Sequence, residues 1–159
     1  MSINIYTNPY PTLHQVSVPV NFFVPPMGYQ DWSQFEKEYL HLMVRAHGIG
    51  LAANQVGVTQ RFFGIGHSSF DEFKNPAILY NARVIKASEE LEIGEEGCLS
   101  FPGVYYNVYR PVEIEAEWQN MKGETTGAKL KGLEARCFQH ELDHLNGITF
   151  NYKAEENNL

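Results

Sequence analysis

Cysteine is scarce in this chain: two residues, Cys98 and Cys137, in 159. That is too few for the multi-bridge framework of a small secreted domain, and a chain of this length can bury a sizeable core without such staples. The first residues, Met1-Ser2-Ile3-Asn4-Ile5-Tyr6, lack the basic flank and apolar run of a signal peptide. The two thiols are therefore expected to serve metal ligation, catalysis or burial rather than a disulfide. No stretch approaches the roughly 20 apolar residues that span a bilayer, so no membrane partner is expected. Positive charge is also short: 12 Lys and Arg against 19 Asp and Glu give a formal net charge of -7. That sign argues against a nucleic-acid backbone as a direct partner. These absences leave a soluble, intracellular protein, expected to act as a monomer in the cytoplasm.

What is present is a globular composition, 43% hydrophobic and 13% aromatic, which predicts one domain over residues 1–159. Five of the eight prolines fall before residue 30, at Pro9, Pro11, Pro19, Pro25 and Pro26. They predict an extended arm with turns, anchored by Ile3, Ile5, Leu13, Val16, Val18, Val20, Phe22 and Phe23. Asp31 followed three residues later by Gln34 resembles a capping box. Trp32, Phe35, Tyr39, Leu42, Met43 and Ala46 then recur at helical spacing, so a helix is expected near residues 31–47. His41 and His47 carry no partner pattern and are expected at the surface or in packing.

Gly48-Ile49-Gly50-Leu51-Ala52-Ala53-Asn54-Gln55 is dense in small residues. It suits a strand edge or loop against which a substrate backbone can lie; its plainer reading is a tight turn. Arg61 to Gly66, Ala77 to Asn81 and Arg83 to Ala87 read as strands, and the acidic run Glu89 to Glu96 as a solvated hairpin tip. Val112, Ile114, Ala116 and Trp118 alternate with Glu113, Glu115, Glu117 and Gln119, the clearest strand in the chain, and Asn120-Met121-Lys122-Gly123 turns it back as a hairpin.

The last apolar pattern is a helix around His140-Glu141-Leu142-Asp143-His144, an H-E-x-x-H sequence. Four helical residues turn through about 400°, so both imidazoles project from nearly one side and can reach one metal ion. Glu141 then stands beside them as a candidate general base. Ala135, Phe138, Leu142 and Leu145 form the core-facing stripe of that helix, while Leu133, Cys137, His140, Glu141 and His144 share another side. The third ligand is open among Cys98, Cys137, Glu95 and Glu96. A ligand from a separate loop closes a tetrahedron better than three from one straight helix, which favours Cys98 without deciding it.

Gly48 to Gln55, Glu96-Gly97-Cys98-Leu99-Ser100 and Gln139 to Gly147, in this order and spacing, are similar to the three signature motifs of peptide deformylase. Asn8 to Leu13 also resembles that family's N-terminal segment. The resemblance implies Cys98, His140 and His144 as metal ligands, Glu141 as general base and acid, and Gln55 with the Leu99 backbone N–H as oxyanion donors. It implies one divalent ion, Fe(II) as a rule with Zn(II), Ni(II) or Co(II) as substitutes. Metal-bound water would attack the formyl carbon of N-formyl-methionyl peptides and nascent chains and release formate. Gly48, Ile49, Gly50, Gly97, Leu133 and Cys137 would bind substrate, and Glu96 would pair with Arg110. Two departures stand out. Twelve residues follow Gly147, too few for the C-terminal helix extension of many bacterial members, so ribosome docking through it is not expected. Such a short form suggests a phage-encoded or organellar version. Arg136 stands near the expected methionine pocket, where an apolar residue is common. The competing readings are an H-E-x-x-H peptidase with a Glu or His third ligand, and a non-catalytic metal-binding protein.

The expected architecture is α+β: one compact domain of antiparallel sheets packed around a central C-terminal motif helix, with the second helix near residues 31–47.

Overall fold

A computed structural model describes residues 2–157. In chain order the elements are α1 (Trp32–Arg45), β1 (Gly50–Ala52), β2 (Phe62–Ile65), β3 (Ala77–Ala87), β4 (Leu91–Cys98), β5 (Phe101–Pro111), β6 (Glu113–Gln119), β7 (Thr125–Lys131), α2 (Gly132–Leu145) and α3 (Phe150–Asn157). Five strands form one antiparallel sheet in the order β1-β2-β3-β6-β7, and β4 with β5 forms a separate two-stranded sheet. The expected α+β class and antiparallel sheets are what is found.

α1 begins where predicted. The Asp31 side chain accepts a hydrogen bond from the Gln34 backbone N–H at 2.8 Å, a cap that contributes about 1 kcal/mol. Its buried stripe, Trp32, Phe35, Tyr39 and Met43, meets Phe62 and Tyr80 of the large sheet. Trp32 and Phe35 stand edge-on to Phe62, with centroids 6.0 and 5.5 Å away, a favourable aromatic geometry.

The opposite face of the sheet is covered by α2. Successive side chains of a strand point to opposite faces, so Phe62 packs towards α1 while Phe63 meets Phe138 of α2 at 5.2 Å. This double covering is why β2 is an unbroken apolar run rather than an alternating one. Ile114, Ala116 and Trp118 of β6 complete the layer beneath α2, and their glutamate neighbours are left at the less buried face, as the alternation predicts.

Three expectations need correction. β3 is one strand rather than two: Asn81 adopts a left-handed conformation (φ 48°) at a register shift, and its side-chain oxygen accepts from the Val20 N–H at 2.9 Å. The acidic run is not a hairpin tip, because Leu91–Cys98 is strand β4, paired along its length with β5. Its alternation is inverted, with Leu91 and Ile93 exposed and Glu96 buried, because Arg110 and Arg136 supply inward partners for the carboxylate. In the arm, Leu13 and Val20 are buried but Val16, Val18 and Phe23 are not, Phe23 being 96% exposed. The arm is held instead by its backbone, through Tyr6 N to Gln55 O (2.8 Å), Asn8 N to Ser100 O (2.9 Å) and Arg61 N to Val18 O (2.8 Å). After Gly147 the chain forms the eight-residue α3, whose Phe150 packs on Phe101 and Tyr106 of β5.

Candidate active site

α2 divides into the two faces its spacing predicts. Ala135, Phe138 and Leu145 are fully buried in the core; Cys137, His140, Glu141 and His144 are buried on the side that faces β1 and the β4–β5 sheet. The rings of His140 and His144 lie one turn apart, with centroids 5.1 Å from each other.

Cys98 reaches them from the end of β4. The pairing of β4 with β5 shifts register between Gly97 and Cys98, and such an irregularity re-aims a side chain. Its Sγ comes to 3.4 Å from Nε2 of His144. The three potential ligand atoms of Cys98, His140 and His144 all lie within 4.8 Å of one another. Metal bonds of about 2.0–2.3 Å at tetrahedral angles separate donor atoms by roughly 3.5 Å, so one thiolate and two imidazoles here fit a single ion. Glu95 and Glu96 are not part of this cluster. Cys137 is not either: its thiol donates weakly to the Ile49 carbonyl at 3.5 Å, and burial pushes its pKa well up, with Glu141 adding to the effect.

Around the cluster lies a charged frame. His140 Nδ1 is 2.8 Å from Oε1 of Glu96, which directs Nε2 inward. Arg110 grips Glu96 with Nε and Nη2 at 2.6 and 2.9 Å and reaches Asp143 with Nη1 at 2.8 Å. The expected Glu96–Arg110 pair is thus present, and both members are buried. Burial opposes the Glu96 charge, but the hydrogen bonds from His140 and Arg110 outweigh it and hold the carboxyl well below its ordinary range.

Glu141 has a different environment. Burial pushes its carboxyl up to about 7, against the pull of His140, and Oε2 is buried with no hydrogen-bond partner among the described residues. Oε1 lies 4.0 Å from His140 Nε2. A buried acid poised near neutrality beside the Cys98, His140 and His144 side chains is suited to carrying a proton. Burial drives the His144 pKa well down, reinforced by His140, whereas for His140 burial is outweighed by hydrogen bonds to Cys98 and Glu96, which push its pKa up to about 10.

Gln55 sits in the short helical turn Ala53–Val56 after β1. Its Oε1 accepts from the Ala52 N–H at 2.9 Å, and its Nε2 donates to Ser100 Oγ at 3.0 Å while standing 3.7 Å from Cys98 Sγ. The amide therefore turns its N–H₂ end towards the cluster. Leu99 follows Cys98 directly, with Leu99 lining the same cleft of about 580 Å³.

All six residues expected to contact substrate line that cleft. Gly48, Ile49 and Gly50 form the wall at β1, an edge strand of the large sheet; Gly97 is on β4; Leu133 is a half-exposed rim residue, and Cys137 is buried beneath Ile49. A Cβ on Gly50 would stand 2.7 Å from Oε1 of Glu141 and 2.9 Å from Sγ of Cys137, so only glycine lets β1 approach this closely.

Several participants escaped the sequence argument. Asn54, fully buried, donates its side-chain amide to the His144 carbonyl and so ties the Gln55 turn to α2. Ser100 donates its own hydroxyl hydrogen bond to Tyr6 O at 2.7 Å and so links Gln55 to the arm. Asp143 lay inside the motif, and its partner Arg110 is 33 residues away. The one signal for Asn54 was a polar residue amid buried small ones.

Residues 2–158 match the family model described as Polypeptide deformylase. A peptide deformylase of Rhizobium meliloti (strain 1021) is 40% identical over 142 residues, covering 89% of this chain and 79% of that protein. One from Synechococcus sp. (strain RCC307) is 44% identical over 117 residues, 74% of this chain but 58% of its own length. The crystal structure of peptide deformylase from Thermotoga maritima superposes with a TM-score of 0.84 at 33% identity, covering 96% of this chain and 97% of that one. The three motif segments that meet at the cleft thus lie in a chain matched nearly from end to end, and the chain belongs to the polypeptide deformylase family.

Proposed function

We propose that this enzyme removes the N-formyl group from the initiator methionine of newly made polypeptides, releasing formate, with Cys98, His140 and His144 holding one divalent metal ion. The observation that carries the reading is the meeting of Cys98, His140 and His144 within 4.8 Å of one another, next to a buried Glu141. A thiolate with two imidazoles suits a softer ion than Mg(II) or Ca(II), and Fe(II) is the native choice proposed here, with Zn(II), Ni(II) or Co(II) as substitutes. The ion, when bound, supplies Lewis acidity and lowers the pKa of water.

The chain's own residues do the rest. Glu141 takes a proton from the attacking water and returns it to the leaving amine nitrogen as the C–N bond breaks. Negative charge grows on the formyl oxygen, where Nε2 of Gln55 and the Leu99 backbone N–H donate; losing one such donor typically costs about 10²–10³ in rate. The edge of β1 at Gly48, Ile49 and Gly50, with Gly97 opposite, aligns the substrate as an added strand. Leu133 and Cys137 contribute apolar wall for the methionine side chain. The substrate is a nascent chain or formylated peptide, met wherever such chains are made, in a bacterial cytoplasm or an organelle.

The test is formate release from formyl-Met-Ala-Ser by anaerobically purified protein loaded with Fe(II) or Ni(II). Turnover of unformylated peptides without formate would instead indicate a peptidase.

A further inference from the structure

Arg136 was expected near the methionine pocket, and it does line the cleft. Its guanidinium goes elsewhere. Nη1 donates to Glu96 Oε2 at 2.7 Å and to the Val108 carbonyl at 2.8 Å, and Nη2 donates to the Glu92 carbonyl at 2.7 Å. The side chain is only 12% exposed. Val108 and Glu92 belong to β5 and β4, so one side chain from α2 clasps both strands of the small sheet.

Space is reserved for it. A Cβ on Gly94 would meet Cζ of Arg136 at 2.8 Å and Nε at 2.9 Å, so the planar group rests on bare β4 backbone. Arg136 and His140 stand four residues apart on α2 and share a face. Glu96 answers both: Oε1 faces His140 Nδ1 while Oε2 takes Arg136 Nη1 and Arg110 Nε.

We propose that Arg136 is a positioning residue: it locks the Glu96 carboxylate in the rotamer that orients His140, and clasps the β4–β5 sheet that presents Cys98 to α2. The proposal rests on the metal assignment above. Removing the clasp leaves Glu96 to the Arg110 fork alone and unties α2 from β4 and β5, so His140 is directed less tightly and Cys98 loses its fixed height over α2. Groups that orient a ligand in this way typically govern about 10–100-fold in metal retention. Arg136 lines the cleft, but its guanidinium hydrogen bonds go to Glu96, Val108 and Glu92, so ground-state substrate binding should be little affected.

The experiment uses the full chain loaded with Ni(II), in the wild type, Arg136→Met, Arg136→Lys and Gly94→Ala. Nickel release to excess chelator and steady-state kcat and KM on formyl-Met-Ala-Ser are measured. Arg136→Met should release nickel about 10–100-fold faster and lose kcat while KM stays within about twofold. Arg136→Lys, with a point charge in place of a fork, should recover part of the retention. Gly94→Ala keeps every charge but displaces the guanidinium, and should shift retention in the same direction; it decides the matter if Arg136→Met does not fold. Unchanged release in a folded Arg136→Met, or a raised KM with unchanged release, overturns the proposal, as does a wild type that takes up no nickel. A wild type that holds nickel yet yields no formate defeats the deformylase reading alone, since release still tests Arg136.

Discussion

Oε1 of Gln55 accepts the Ala52 backbone N–H at 2.9 Å, and that bond fixes which end of the amide faces the cleft. Gln55→Glu keeps the acceptor and replaces the donor with a second oxygen. Its kcat should fall by about 10²–10³ with metal content unchanged, measured by formate release beside metal analysis. Loss of the metal as well would place Gln55 in the metal frame rather than at the oxyanion.

The two cysteines separate cleanly by position. Cys98→Ala should lose the metal, because its Sγ is the donor proposed from β4. Cys137→Ala should retain it and show at most a changed preference at the first side chain, since that thiol lies outside the Cys98–His140–His144 cluster and donates to the Ile49 carbonyl. Metal stoichiometry after gel filtration decides between them, and the opposite pattern would move the third ligand onto α2.

Chelation should also lower thermal stability. A ligand bound only to the folded state stabilises by RT ln(1 + [L]/Kd), about 4 kcal/mol at a thousand times Kd. Here the ion would join β4 to α2, two elements otherwise connected through side chains such as Glu96 and Arg136. A melting temperature indifferent to chelator would contradict a bound ion.

Alkali should destabilise the α1 side of the core. The Tyr39 phenol donates to the Leu51 carbonyl and that of Tyr80 to Glu36 Oε2 at 2.6 Å. Burial raises both pKa values above the ordinary 10.0, with Glu141 adding for Tyr39 and Glu36 for Tyr80. The unfolded chain therefore releases these protons first, so their contribution is intact below about pH 10 and lost above it. Denaturant midpoints from pH 9 to 11 should fall more steeply for the wild type than for Tyr80→Phe.

Core packing on the other side is testable with Phe138→Ala. The ring is fully buried and stands edge-on to Phe63 at 5.2 Å; its removal should cost about 3–5 kcal/mol, read from urea unfolding.

The elements that were legible in the sequence are those whose environment is set by their own periodicity. Trp32, Phe35, Tyr39 and Met43 announce α1; Ile114, Ala116 and Trp118 announce β6; and α2 shows two faces because one packs and the other reacts. β4 was illegible because its inward residue is Glu96, whose charge makes sense only beside Arg110 and Arg136, 14 and 40 residues away. Asn54 and Ser100 were hidden for the same reason, as their partners His144 and Tyr6 lie 90 and 94 residues off. The same limit explains Arg136: its position near the pocket was evident, but not the bare backbone of Gly94 that receives it.

The order of the ligands along the chain has a consequence for synthesis. Cys98 is made 46 residues before His144, and α2 must emerge and dock before thiol and imidazoles meet. With the proposed ligand set, a growing copy of this enzyme therefore has no metal centre until α2 has docked against β4.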